Sequence, residues 1–228
     1  MNNMVKELEN IEAHFRELLK KGMTNLISDG IVNPEKYKNA KIKLLWILKE
    51  PHDKGNGGWD MRNFLITPEN LTKRTDKWPW KKTYKNIMLS TWGILHDFQS
   101  YEKTLEDWRK FGDEEILSIL NEIAYINLKK TPGKSKSYKP EIRSAYKKHQ
   151  KLIWSQINAI KPDFAICGGT YEFIKKDIQL YNEHSIVFIN NYHPGFIKKN
   201  VKSDKVYYQE ILNEIKSRHL NNSLENCE

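Results

Sequence analysis

Three polar side chains stand where apolar runs of the chain break off: Glu50, Asn127 and His193. Glu50 follows the run 42–48 and precedes Pro51, which removes a backbone donor and fixes the turn. A carboxylate held there can orient water or stabilise a developing cation, although a solvated loop glutamate is the plainer reading of the residue alone. His193 precedes Pro194-Gly195, where it can donate to a leaving group that gains negative charge or simply serve a turn. Asn127 closes an otherwise apolar stretch, and its amide offers a donor and an acceptor suited either to the edge of a nucleobase or to capping a strand end. Gly168-Gly169-Thr170 sets small residues and backbone N–H groups before an expected helix, an arrangement that can hold a phosphate or form a tight turn.

The elements that must position these residues alternate. Apolar runs at 42–48, 123–128, 164–167 and 186–189 read as strands. Helical spacing marks 4–21, 81–98, 113–121 with Asp113 as N-cap, 140–160, a start near Thr170, and 204–218. Residues 22–40 and 59–80 read as loops. Strands alternating with amphipathic helices imply an α/β fold: a three-layer αβα domain around a central, mainly parallel four-stranded sheet. One domain is expected, with an N-terminal helix at 4–21, a core at 41–218 and a polar tail at 219–228. Ligand sites in such folds lie beyond the carboxyl ends of the strands. Glu50, Asn127, Gly168 to Thr170 and His193 all fall at such ends, so four strand ends converge on one rim.

Bulk composition narrows the classes. With 39% hydrophobic residues and 11 Tyr, 8 Phe and 7 Trp, the chain is built to pack. No apolar run has a membrane-spanning length and no signal segment opens the chain, so a cytosolic protein is expected. Two cysteines, Cys167 and Cys227, exclude a disulfide framework and a four-thiolate cluster, and no metal or cofactor is expected. The net charge of +9 suits a polyanionic partner, or reflects a lysine-rich proteome.

In this order and spacing the blocks resemble the uracil-DNA glycosylase superfamily over residues 41–218. Leu48-Lys49-Glu50-Pro51-His52 is similar to its first motif through the acid and the proline. Tyr125-Ile126-Asn127 looks like the strand with the base-reading asparagine, followed by the basic loop Thr131-Pro132-Gly133-Lys134. Ile166-Cys167-Gly168-Gly169 resembles the third strand end, and His193-Pro194-Gly195 the histidine motif. The resemblance implies hydrolysis of the N-glycosidic bond of a base flipped out of single- or double-stranded DNA, as in repair. Asn127 would read the base, His193 would stabilise charge on it, and Glu50 would position water or stabilise the sugar cation. Phe64 or Trp59 would stack on the base, with Pro51 and His52 beside it. Phe196-Ile197-Lys198-Lys199 would supply an apolar wedge and phosphate contacts, joined by Gly168, Gly169, Thr170, Gly195 and Lys134. Lys129, Lys130 and Lys136 would add phosphate contacts, and Trp78-Pro79-Trp80-Lys81-Lys82 would also touch the nucleic acid. The chain departs from the pattern at Leu48-Lys49, where Lys49 could pair with Glu50, at His52, where some members carry tyrosine, and at Gly195, where serine is usual. A monomer is expected. A non-catalytic nucleic-acid-binding module on the same fold and an α/β enzyme acting on free nucleotides or nucleosides compete with the glycosylase reading.

Overall fold

The computed structural model describes residues 3–20, 25–67, 81–196 and 203–225. Its elements run α1 (Asn3–Lys20), β1 (Gly30–Ile31), α2 (Pro34–Asn39), β2 (Leu44–Leu48), α3 (Met61–Leu65), α4 (Lys81–Leu95), α5 (Tyr101–Lys110), α6 (Asp113–Asn121), β3 (Ile123–Asn127), α7 (Lys139–Ile160), β4 (Phe164–Gly168), α8 (Tyr171–Ile174), α9 (Ile178–Tyr181), β5 (Val187–Asn191) and α10 (Asp204–Glu225). The sheet has five strands in the order β1-β3-β2-β4-β5. The four expected strands are mutually parallel, and β1 joins β3 antiparallel at one edge.

Alternation along each strand divides the core. Leu44, Trp46, Leu48, Ile123, Tyr125 and Ile166 face a layer containing α4, α6 and α10. Leu45, Ile47, Ala124, Ile126, Ala165 and Cys167 face α7 and α8. Successive side chains of a strand point to opposite faces, so a continuous apolar run serves two layers at once. Asn127 shares its face with Tyr125 and pairs in register with Leu48.

The connection 22–40 is not all loop. It contains the two-residue β1 and helix α2, which Asn33 caps by accepting from the amides of Glu35 and Lys36, with Pro34 in the first turn. The stretch 59–80 likewise contains α3, capped by Asp60. Between the expected helices at 81–98 and 113–121 lies α5, whose N-cap Ser100 accepts from the Lys103 amide. Gly112, and not Asp113, is the cap residue of α6.

A buried charge immediately precedes the edge strand β1. Asp29, 3% exposed, accepts from the Lys130 ammonium, from Gln156 Nε2 at 3.2 Å and from the Asn127 amide at 2.8 Å. Removing one partner of such a pair leaves an uncompensated charge in a low-dielectric interior. Lys130→Met should therefore cost about 3–5 kcal/mol of folding stability, read by urea denaturation. A loss below about 1 kcal/mol, the scale of a surface pair, would contradict this placement.

Candidate functional site

The polar ends of β2 and β3 are joined beyond the strands. The Leu128 and Lys129 amides donate to the Leu48 and Lys49 carbonyls at 2.9 Å. Further out, the Gly133 amide donates to Pro51 O at 2.8 Å and the Asp53 amide to Gly133 O at 3.2 Å. This extended pairing holds Glu50 beside the loop after β3. Glu50 Oε2 accepts from Lys129 Nζ at 2.8 Å, and Lys129 also reaches Glu141 of α7 at 2.7 Å and Pro132 O at 3.0 Å. Burial alone would lower the Lys129 pKa, but its hydrogen bonds to Glu141 and Glu50 outweigh that and raise it. A Cβ on Gly133 would lie 2.3 Å from Glu50 Cγ and Cδ, so only glycine lets the loop approach this closely.

His193 is fixed from three sides. A Cβ on Gly168 would meet Leu48 Cδ2 at 2.3 Å and Pro194 Cδ at 3.0 Å, so glycine at the end of β4 lets the histidine loop settle on β2. Asn86 of α4 donates to Pro194 O at 2.8 Å. The Gly195 amide donates to His193 Nδ1 at 3.1 Å. With Nδ1 accepting, the neutral ring carries its proton on Nε2 and is a donor there. Burial, then the charge of Lys49, lowers the His193 pKa to about 4, so the neutral ring is the form present near neutrality.

Both residues line a cavity of about 570 Å³ at the carboxyl end of the sheet. His52, Trp59, Phe64 and Tyr125 also line it. The aromatic wall is continuous: Trp59 to Phe64 at 5.7 Å, Phe64 to Tyr84 at 6.1 Å and Tyr84 to Tyr125 at 6.3 Å between ring centroids. Asp53 shapes the mouth, accepting from Trp59 Nε1 at 3.0 Å and from the Gly55 and Gly57 amides at 2.7 and 3.0 Å. Burial would raise the Asp53 pKa, but these three donors and the His52 charge hold it below the usual carboxylate value. At Gly57, φ is +69° and a Cβ would strike Asn25 O at 2.4 Å, so the turn requires glycine.

Asn127 is 0% exposed, and neither Nδ2 nor Oδ1 has a partner meeting hydrogen-bond geometry among the described residues. Burial raises the Tyr125 pKa, and a hydrogen-bonding approach of the Asn127 amide to that hydroxyl opposes it weakly, but no contact of the amide meets full hydrogen-bond geometry among the described residues. His52 Nδ1 is likewise buried without a partner. Buried polar atoms without partners are costly, on the order of 1–3 kcal/mol each, and need an explanation. Asn127 lies two residues beyond Tyr125 on the same face of β3 and level with Leu48; Tyr125 and Leu48 line the cavity, and Asn127 sits behind them without lining it itself.

Several expected DNA contacts are corrected. Thr170 is fully buried and its hydroxyl donates to Ile47 O at 2.8 Å. The Gly169 amide is bonded to Asn191 O at 2.7 Å and Cys167 O at 2.8 Å, and Gly168 is a packing residue. The Gly169 amide and the Thr170 hydroxyl are thus spent within the sheet, and the Gly195 amide is committed to His193. Lys129 and Lys130 are buried in ion pairs and do not face solvent. Lys49 does not pair with Glu50, whose oxygen Lys129 takes. Lys134 and Lys136 are exposed. Phe196 is 52% exposed and stacks on Tyr192, itself 51% exposed, at 6.2 Å and 17°. Ile197, Lys198, Lys199, Trp78, Pro79 and Trp80 lie outside the described residues.

Asp53, Gly133, Asn86 and Lys129 belong to the site's framework and were not anticipated in those roles. Asp53 had a local signal, an acid two and four residues before Gly55 and Gly57. The other three act through partners far along the chain. Comparison with protein-family models, with curated proteins and with solved structures finds no match. Among the described residues no group of three or more His, Cys, Asp or Glu could hold a metal ion, and no helix is long and apolar enough to cross a membrane.

The His193 environment has a direct readout. In a ¹⁵N-resolved imidazole titration, His193 should protonate with a midpoint near 4 and show the Nε2–H tautomer above it. Because the unfolded chain protonates nearer the ordinary histidine value of about 6.5, this residue's contribution to stability falls as pH drops from there toward 4. A midpoint at or above 6.5 would contradict the geometry.

Proposed function

We propose that this chain is a DNA glycosylase of the uracil-DNA glycosylase kind, hydrolysing the N-glycosidic bond of a deaminated base flipped into the cavity. The observation that carries the reading is the fully buried Asn127 amide, which has no well-formed hydrogen bond among the described residues and stands on the β3 face behind the cavity residues Tyr125 and Leu48. Deamination converts an exocyclic amine into a carbonyl and leaves a proton on the adjacent ring nitrogen. The product edge is one acceptor beside one donor, and a side-chain amide is complementary to it. The aromatic wall, with Trp59 and Phe64, supplies flat apolar surface for the ring.

The chemistry assigned to the other residues follows from their donors and acceptors. As the C1′–N bond breaks, its electron pair passes to the base. His193 Nε2–H is a neutral donor suited to the oxygen on which that charge develops. Glu50 Oε1 has no partner among the described residues, while Oε2 is held by Lys129. Oε1 can therefore orient the water that adds to C1′ and accept its proton, or stabilise the cationic sugar. The exposed Tyr192–Phe196 pair beside the histidine motif fits a role at the duplex, where an apolar tip fills the space the base vacates.

A gel-based release assay on oligonucleotides containing uracil, hypoxanthine or xanthine tests the proposal. Release from at least one is expected. Glu50→Gln should lower the rate about 10²-fold or more, the scale of general acid–base catalysis. Asn127→Ala should lower it while weakening discrimination against the parent amine base. No release from any of the three, with DNA still bound, would favour a non-catalytic binding module.

A further inference from the structure

β5 is the edge of the sheet opposite β1. Its residues, Val187-Phe188-Ile189-Asn190-Asn191, include no charge and no proline, two devices that keep exposed strand edges from pairing. The Val187 amide donates to Asp163 O, and Asn191 O accepts from the Gly169 amide. Val187, Ile189 and Asn191 therefore turn their backbone groups toward β4. Phe188 and Asn190 turn theirs outward, where nothing bonds them among the described residues. Asparagine covers the edge at either end of this window. Asn182 Nδ2 donates to Ile186 O and Asn182 Oδ1 accepts from the Ile186 amide, both at 2.9 Å. Asn191 Oδ1 accepts from the Tyr192 amide at 2.6 Å. The open residues thus lie symmetrically on either side of Ile189.

A cleft of about 750 Å³ follows the same edge, lined by Tyr171 and Phe188 and, from α10, by Glu210, Glu214 and Arg218. α10 runs back along β5, because its His219 ring lies 6.4 Å from that of Phe164, which is level with Val187. Ile189 lies about 6.6 Å further along the strand, the length of about four helical residues, so Glu214 and Ile215 are level with it. The helix therefore shows the cleft a stripe with Glu210 at one end, Arg218 at the other and Glu214 opposite the centre of the window. Arg218 rests on Glu214 at 2.7 Å.

We propose that the β5 edge is an interface with a second copy of this chain, the two β5 strands pairing antiparallel about a two-fold axis at Ile189. In that register Phe188 exchanges both backbone hydrogen bonds with the partner's Asn190, and Asn190 with the partner's Phe188, so the whole window is paired. The same axis sets Glu210 opposite the partner's Arg218 and Arg218 opposite the partner's Glu210. An extended segment of another protein would also fit the backbone window, but a copy of this chain brings the reversed stripe as well, acid against base at both ends. The pairing makes a dimer of a chain whose sequence suggests a monomer, and it does not depend on the glycosylase reading.

Sedimentation velocity of the full chain, from low micromolar to near-millimolar concentration, tests the pairing. Wild type should pass from monomer to dimer as concentration rises. Asn190→Pro removes an outward amide at an edge position, where proline is tolerated, and should leave the chain monomeric. Glu210→Arg and Arg218→Glu should each raise the dimer dissociation constant about tenfold, since each sets like charges together at two symmetric places. The double variant should restore wild-type dimerisation. The control Lys216→Glu, an exposed position of α10 outside the cleft, should change nothing. Melting curves confirm that each variant is folded; should Asn190→Pro lose its transition, the charge swap decides alone. A monomer at every concentration overturns the second copy as occupant and leaves the edge to an extended segment of another protein. A dimer that persists in a folded Asn190→Pro, or single variants whose loss the double variant does not restore, overturns the β5 register.

Discussion

The site depends on one constraint: β2 and β3 stay paired after they leave the sheet. The ladder from Leu48 O to the Leu128 amide continues through Lys49, Pro51 and Asp53 to Gly133. Two loops that would otherwise diverge are therefore laid side by side, and Glu50 is carried to the edge of the cavity with Asn127 buried just behind its wall. Glycine at position 133 permits the contact, because any side chain there would occupy the volume of the Glu50 carboxylate. Glycine at 168 plays the matching part on the other side, letting Pro194 and Leu48 meet so that His193 reaches the same cavity. Backbone pairing and two missing side chains bring the functional groups together, in keeping with sites placed where several strand ends meet.

Strand alternation then solves an electrostatic problem. Lys129 and Lys130 are consecutive, so they leave β3 in opposite directions. Lys129 turns to Glu50 and Glu141; Lys130 turns to Asp29 and Gln156. Each is buried, and each is matched by a carboxylate and by further oxygen acceptors, the condition under which a buried charge is tolerated. The second pair also anchors the backbone of Asn127 through Asp29. The side chain of Asn127 is left without a well-formed hydrogen bond among the described residues, next to the cavity wall.

Much of the framework was legible from local pattern. The runs at 42–48, 123–128, 164–167 and 186–189 all form the parallel sheet; β2, β3 and β4 are buried along their whole length because they are covered on both faces, whereas the edge strand β5 is partly exposed. The polar residues closing them mark the rim for the same reason. What escaped was short or non-local. β1 has only two residues, too few for a period to show. α2 had its cap and proline at Asn33-Pro34 but was absorbed into a loop, and α5, with Tyr101, Leu105 and Trp108 at helical spacing after Ser100, was left unassigned between two longer helices. The lysines after β3 read as solvent-facing because their partners Asp29, Glu50 and Glu141 lie far away in sequence. A glycine-rich strand end read as a phosphate cradle, whereas its amide and hydroxyl are spent within the sheet.

The central claim is that the buried Asn127 amide awaits the polar edge of a flipped base. The most direct measurement is a crystal structure of the Glu50→Gln protein with an oligonucleotide containing 2′-fluoro-deoxyuridine, whose glycosidic bond resists hydrolysis. The account predicts the uracil ring inside the cavity against Trp59 or Phe64, with Asn127 within hydrogen-bond distance of its polar edge and His193 Nε2 directed at a ring carbonyl oxygen. A base left stacked in the DNA, or bound with Asn127 still unpartnered, would contradict it.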